Sequence, residues 1–308
     1  MLKITSSQCG AIAKVLAVLI AVGCLAACSG RAGETPSADA TPAPSEEPVT
    51  PVLLATEPPE PTASPTPEPE MTIDEDGDIT LRSDIEASFS TTTYSFDEPP
   101  TVLIYHTHAT ESYLKGDTDD YIETETGRTE NNAYNVVAVG DALAAALEER
   151  GFSVLHDSTN VEPPELTSAY SRSLEVMQAY DDIDIYIDLH RNASRQRGRS
   201  DNTVSIDGTP CAKLFFVVGT GIGTYEGEYD VSPDWESNYT FALSVMDAIK
   251  DEAQPLVKPI RLKVGRYNQH MGLCLLAEIG TNADTLSAAL NTVPYLADAL
   301  GSVCVFES

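Results

Sequence analysis

An α/β domain with a largely parallel central sheet and helices on both faces is the fold class this sequence predicts. Two observations carry that expectation. Short apolar runs alternate with stretches whose apolar residues recur at helical spacing. Polar, chemically capable residues follow or end several of those runs, where open α/β sheets bind their ligands.

The first 28 residues read as a targeting segment. Lys3 and Lys14 supply positive charge, and an apolar stretch runs from Val15 to Ala27. It ends in Leu25-Ala26-Ala27-Cys28, the pattern of a bacterial lipoprotein signal with Cys28 as the lipidated residue. The apolar run is short for a spanning helix, although an uncleaved signal anchor is the alternative. Either way the rest of the chain is expected outside the cytoplasm, tethered to a membrane at its N-terminus. Residues 29–99 read as an acidic, Pro/Thr/Glu-rich disordered linker, with ten prolines between Thr41 and Glu70. Such a tether could reach well over ~100 Å at about 3.1 Å per residue.

Residues 100–308 are one domain by size. A strand is expected at 101–105. A helix follows at 135–150 (NVVAVGDALAAALEER), and Gly151 closes it. A second strand covers 152–155, a helical stretch 166–180, and a third strand 183–189. Residues 203–206 and 213–218 read as a hairpin-like pair. A helix at 235–250, a strand at 273–279 and a last helix at 283–300 complete the pattern.

The domain carries 32 acidic and 14 basic residues, which argues against nucleic acid or anionic lipid as its main partner. Of the six cysteines, Cys9, Cys24 and Cys28 belong to the targeting segment. Cys211, Cys274 and Cys304 have no C-x-x-C spacing and read as small buried apolar residues. Metal ligands are therefore sought among His, Asp and Glu.

Two of the five histidines, His106 and His108, directly follow the 101–105 run, and Glu111 stands three residues later. His190 ends the run 184–189, and Glu278 follows 273–277. Parallel strands would bring these three ends to one edge. His108, Glu111 and His190 then form a His/Glu/His set able to hold zinc and leave a position for water. Glu278, a carboxylate in an apolar strand, is the candidate base. The helical H-E-x-x-H pattern is absent. His156 and His270 are weaker candidates for the rim or for substrate contact. Arg191, Arg195, Arg197 and Arg199 could grip substrate carboxylates. Asp117–Asp120 lacks the spacing of a calcium loop. The polar segment 112–132 reads as a flap.

The blocks VLIYHTHATESY (102–113), YNVVAVGDALAAALEERGFSVLHD (134–157), IDLHRNA (187–193), AKLFFVVGT (212–220), RYNQH (266–270) and LLAEIG (275–280) resemble the stage II sporulation protein P family. The resemblance implies a zinc amidase/carboxypeptidase-like fold. It also implies cleavage of the N-acetylmuramoyl-L-alanine amide of peptidoglycan, with endopeptidase action on stem cross-links also credited to the family. It implies work with sporulation proteins D and M in septal thinning and engulfment, in the cell envelope at the forespore septum. Residue by residue, His108 and His190 match zinc histidines and Glu278 the catalytic glutamate. For the third ligand, Glu111 is preferred over Glu130, which stands before the helix as in related amidases. His106 then becomes a neighbour of the metal or a substrate contact, as do Arg191 and His270. The family is usually described with a transmembrane anchor, so the lipobox at Cys28 is a departure. The alternative functions are a zinc carboxypeptidase or endopeptidase of stem peptides, and a non-catalytic wall-binding lipoprotein.

Overall fold

β-Branched and aromatic residues make the strands of this protein, and polar caps set its helices. The computed structural model describes residues 70–194, 201–223 and 234–306, all within one compact unit, Pro65–Ser308. The described chain begins with β1 (Met71–Ile73) and β2 (Asp78–Leu81), the single turn α1 (Ser83–Glu86), β3 (Tyr94–Phe96) and β4 (Thr101–Tyr105). Next come α2 (Val136–Glu148), β5 (Ser153–His156), α3 (Ala169–Met177) and β6 (Ile185–Asn192). β7 (Thr203–Ile206), β8 (Thr209–Ala212) and β9 (Leu214–Gly219) precede the long α4 (Trp235–Ala253). β10 (Arg261–Lys263), β11 (Leu273–Thr281), α5 (Leu286–Leu290), α6 (Val293–Val303) and β12 (Cys304–Phe306) follow.

Eight strands form the main sheet, in the order β1-β2-β10-β9-β11-β6-β4-β5. Its heart, β11-β6-β4-β5, is parallel throughout, as is the β9–β10 pair, while β9 runs antiparallel to β11. The sheet is thus largely parallel at its centre, with a mixed flank. Alternation along each strand divides the side chains between two faces. Val102, Ile104, Ile187, Leu189, Leu275, Ala277 and Phe216 pack with α2, α4 and α6 in the main core. Leu103, Tyr105, Tyr186 and Cys274 pack with Met177 and Leu174 of α3 on the opposite face. Helices therefore cover both faces.

Local chemistry explains the boundaries. Asn135 caps α2, its side chain accepting from the Val137 N–H at 3.0 Å, and Gly151 (φ +89°) lies just past the helix end. The expected last helix, 283–300, is instead two helices. Pro294 lacks an N–H and its ring would clash with the Leu290 carbonyl, so the chain restarts at Val293. Residues 203–206 pair with Thr209–Ala212 rather than with the 213–218 run. Asp207 and Gly208 both take positive φ (50° and 84°), which makes the tight hairpin turn and frees β9 to enter the main sheet.

The expected linker is also shorter than residues 29–99. β1 and β2 pair into the sheet edge, β2 against β10, because Ile79 and Leu81 alternate with polar neighbours and bury on one face. Asp78 adds ion pairs to Arg261 and Lys263. The targeting segment with Cys28, and linker residues up to 69, lie outside the described residues. Among the described residues no helix is long and apolar enough to cross a membrane. Removing residues 70–82 strips Ile79 and Leu81 from the core, and a stability loss of about 3–5 kcal/mol is expected in urea denaturation. An unchanged midpoint would refute the structural role of this edge.

Candidate active site

The site lies on the α3 face of the sheet, where three parallel strands end. β6 and β11 are in register with Glu278 opposite His190, and β4 and β6 with Tyr105 opposite Asp188. Alternation then sends Asp188, His190 and Glu278 to the same face. β6 runs on to Asn192 and β11 to Thr281, so both residues sit within strands rather than at their tips. A register shift between Glu278 and Thr281 loosens the ladder just beyond the site.

His108 follows β4 in a tight turn, with its ring edge-on to that of His190 at 5.4 Å between centroids. Its side chain is 19 % exposed against 4 % for His190, so His108 is the solvent-facing member of the pair. His190 is flanked by two carboxylates: Nδ1 lies 3.5 Å from Glu111 Oε2, and Nε2 lies 2.8 Å from Asp188 Oδ1. Burial works against its charge, yet Asp188 and then Glu111 lift the imidazole well above the ordinary histidine range. Asp188 is held by the Thr107 N–H at 2.9 Å and the Thr107 hydroxyl at 2.7 Å.

Glu111 is buried, which alone would raise its pKa. His190 and Arg191 pull it down to about 2 instead. It accepts the Arg191 backbone N–H at 3.1 Å, and the Arg191 and Arg128 guanidinium groups lie 3.6 and 3.7 Å away. Arg128 also donates to Glu162 at 2.6 Å, and Glu162 lies 3.6 Å from His108 Nδ1. The Thr110 hydroxyl donates to the same Glu162 carboxylate. Glu278 is left without a hydrogen-bond partner at Oε2, and burial pushes it up to about 7.

Among the described residues no three His, Cys, Asp or Glu groups form a ready-made cage for a metal ion. The structure does offer the donor chemistry. Glu278 Oε2 is buried without a hydrogen-bond partner, and His108 Nδ1 has only Glu162 at 3.6 Å, beyond hydrogen-bond reach, an expensive condition that a bound ion or its water would relieve. Two imidazoles and the Glu111 carboxylate are a donor set that suits zinc.

A family model for stage II sporulation protein P matches residues 44–301. The chain belongs to that family. A stage II sporulation protein P of Bacillus subtilis (strain 168) is 29 % identical over 150 residues, which span 43 % of this chain and 34 % of the relative. The match thus covers about a third of that relative's length. Solved structures with partial similarity include the N-acetylmuramoyl-L-alanine amidase AmiC2 of Nostoc punctiforme, 15 % identical with a TM-score of 0.37, covering 67 % of this chain and 96 % of that one. The catalytic domain of the CD27L endolysin is 12 % identical with a TM-score of 0.39, covering 67 % and 99 %.

Within this stage II sporulation protein P family chain, the fold brings His108, Glu111, His190 and Glu278 together. Arg191 joins them, but its guanidinium points into the protein, donating to Ser112 O at 2.9 Å and Gly127 O at 2.6 Å. It thereby pins Ser112 and Gly127 within the 112–132 segment that the sequence reads as a flap. Glu130 is exposed and stands on the wall of a neighbouring cavity that it shares with Arg128 and Glu162. His270 is half-buried, and burial together with Arg266 lowers it to about 4. Arg195, Arg197 and Arg199 lie outside the described residues.

His106 faces the other way, toward α2. Its Nδ1 donates to Leu189 O at 2.8 Å, and its Nε2 meets His156 Nε2 at 2.9 Å. His156 Nδ1 in turn lies 2.9 Å from Asp141. This chain of contacts ties the α2 layer to the residue before His190. Sequence reasoning passed over Asp188, Glu162 and Arg128. Asp188 carried a usable signal, a carboxylate two residues before His190 in an apolar strand and hence on its face. Glu162 and Arg128 come from loops and carried none. Gly140 makes room for the His106–His156 pair, since an added Cβ would lie 2.6 Å from His156 Nε2 and 2.8 Å from His106 Nε2. Gly140→Ala should therefore cost about 1–3 kcal/mol by overpacking. Thermal melting, with the imidazole signals followed by NMR, tests this; unperturbed imidazoles would contradict it.

Proposed function

We propose that this chain is a zinc-dependent peptidoglycan hydrolase. It cleaves the amide between N-acetylmuramic acid and the L-alanine of the stem peptide, in the wall remodelling of sporulation. The observation supporting this reading is the convergence of His108, Glu111, His190 and Glu278 at one end of parallel strands, with unpartnered buried atoms on His108 and Glu278. His108, Glu111 and His190 would hold the ion, which supplies Lewis acidity toward the amide carbonyl and an acidified water. Peptidoglycan, sporulation proteins D and M, and a membrane tether through the N-terminal segment complete the proposal.

The protein's own residues divide the remaining work. Glu278 has a raised proton affinity, so it can take a proton from the attacking water and return it to the leaving nitrogen. Asp188, locked by Thr107, orients the His190 ring. His190 and Arg191 hold Glu111 ionised, as a donor must be, with Arg128 3.7 Å away. His108, the more exposed imidazole, stands on the solvent side, where a polymer substrate would arrive.

Digestion of purified sacculi, with products identified by mass spectrometry and repeated with chelator, tests the reading. Intact stem peptides and bare muramic acid are expected, and chelator should abolish their release. Muramyl peptides trimmed within the stem would instead mark a carboxypeptidase or endopeptidase. Metal-free protein without turnover would mark a wall-binding role. Glu278→Gln should lower turnover by about 10²–10⁴-fold with zinc content unchanged. His190→Ala should lose both zinc and activity; full zinc content in that variant would remove His190 from the ligand set.

A further inference from the structure

A groove of about 510 Å³ opens beside the site, between α3 and the 264–268 turn. Tyr170, Leu174 and Glu175 form one wall, and Arg266, Tyr267 and Asn268 the other. The volume falls within the range of small-molecule sites. Tyr170 belongs to both places: its ring lies edge-on to His108 at 5.9 Å and to Tyr267 at 5.4 Å. A ligand in the groove is therefore continuous with whatever meets His108.

The far wall is built under strain. Tyr267 and Asn268 are consecutive non-glycine residues with positive φ (50° and 56°), a conformation that L side chains rarely adopt. Three ties hold it. Gln269 donates to Val217 O at 2.8 Å and accepts from the Gly219 N–H at 2.9 Å, fixing the turn to β9. Asn268 donates to Tyr170 O at 2.8 Å and to the Ser173 hydroxyl at 3.0 Å, fixing it to α3. Gly219 permits the approach, since a Cβ there would lie 2.6 Å from Arg266 O. The outcome of this bracing is the placement of the Tyr267 ring beside Tyr170.

We propose that this groove is a saccharide subsite that seats the neutral glycan strand of the substrate on Tyr170 and Tyr267. The inference rests on the amidase reading for its substrate and adds which part of the polymer lies where. Charge favours sugar over stem peptide. The charged residues of the groove, Glu175 and Arg266, cancel, whereas stem peptides present several carboxylates to a domain that is already acidic. Aromatic faces with nearby polar groups suit the apolar faces and hydroxyls of a pyranose.

The test is calorimetric titration of the metal-stripped full chain with N-acetylglucosamine tetrasaccharide and, separately, with purified stem peptide. Saccharide binding is expected and peptide binding in the groove is not. Tyr267→Asn keeps a residue that tolerates the left-handed backbone and should weaken saccharide binding about three- to tenfold, while Tyr267→Phe should retain it. Ser171→Trp, at an exposed position on the groove wall, should weaken binding by filling it and guards against a folding defect at Tyr267. Unchanged saccharide affinity in both Tyr267→Asn and Ser171→Trp would overturn the proposal, as would binding of stem peptide alone. Because these measurements involve no turnover, they stand apart from the sacculus digestion that tests the amidase reading.

Discussion

The parallel pairing of β6 with β11, with Glu278 opposite His190, is the constraint on which the site depends. A shift of one residue in that register would turn one of the two side chains into the helical core on the other face. The register is secured by burial on both sides. Ile185, Ile187 and Leu189 face α2 and its neighbours, Tyr186 faces α3, and Leu275 and Ala277 do the same work on β11. The candidate site is thus carried on strands that are buried along most of their length, where side-chain directions are little free.

Around that pair the molecule buries an unusual number of charges. Glu111, Glu162, Asp188 and Arg191 are all buried, and Arg128 bridges toward both glutamates. Each charge alone would be costly inside the protein, by several kcal/mol. Together they neutralise one another and hold His190 and Glu111 in place. Glu278 is the exception, lacking a partner at one oxygen, and its burial makes it hold its proton more tightly. That contrast separates a group kept ionised from one free to exchange a proton, the division of roles that the proposed hydrolysis needs.

Much of the candidate site was legible in the sequence. His108, Glu111, His190 and Glu278 are rare polar residues at or near the ends of apolar runs, and parallel strands must bring such positions to one edge. Asp188 was legible in principle from strand alternation. Glu162, Arg128 and Tyr170 were not, because they reach the site from a loop or a separate helix whose approach no local pattern encodes. The two histidines of His106-Thr107-His108 also part company only in three dimensions: His108 stands with His190, while His106 turns to His156 and α2.

The sequence by itself determined the α/β class, the strands at the heart of the sheet and most helices, because periodicity and capping are local properties. It missed the partner of residues 203–206, expected at 213–218, because the early turn through Asp207-Gly208 shows its consequence only once the strands pair. Tertiary structure decided the rest. It drew residues 71–81 into the sheet, since an edge strand gains its burial from a partner nearly two hundred residues away, β10. It set β9 antiparallel to β11, and it chose which histidine faces which layer. Those outcomes depend on contacts between segments remote in sequence, whose energies no single segment contains.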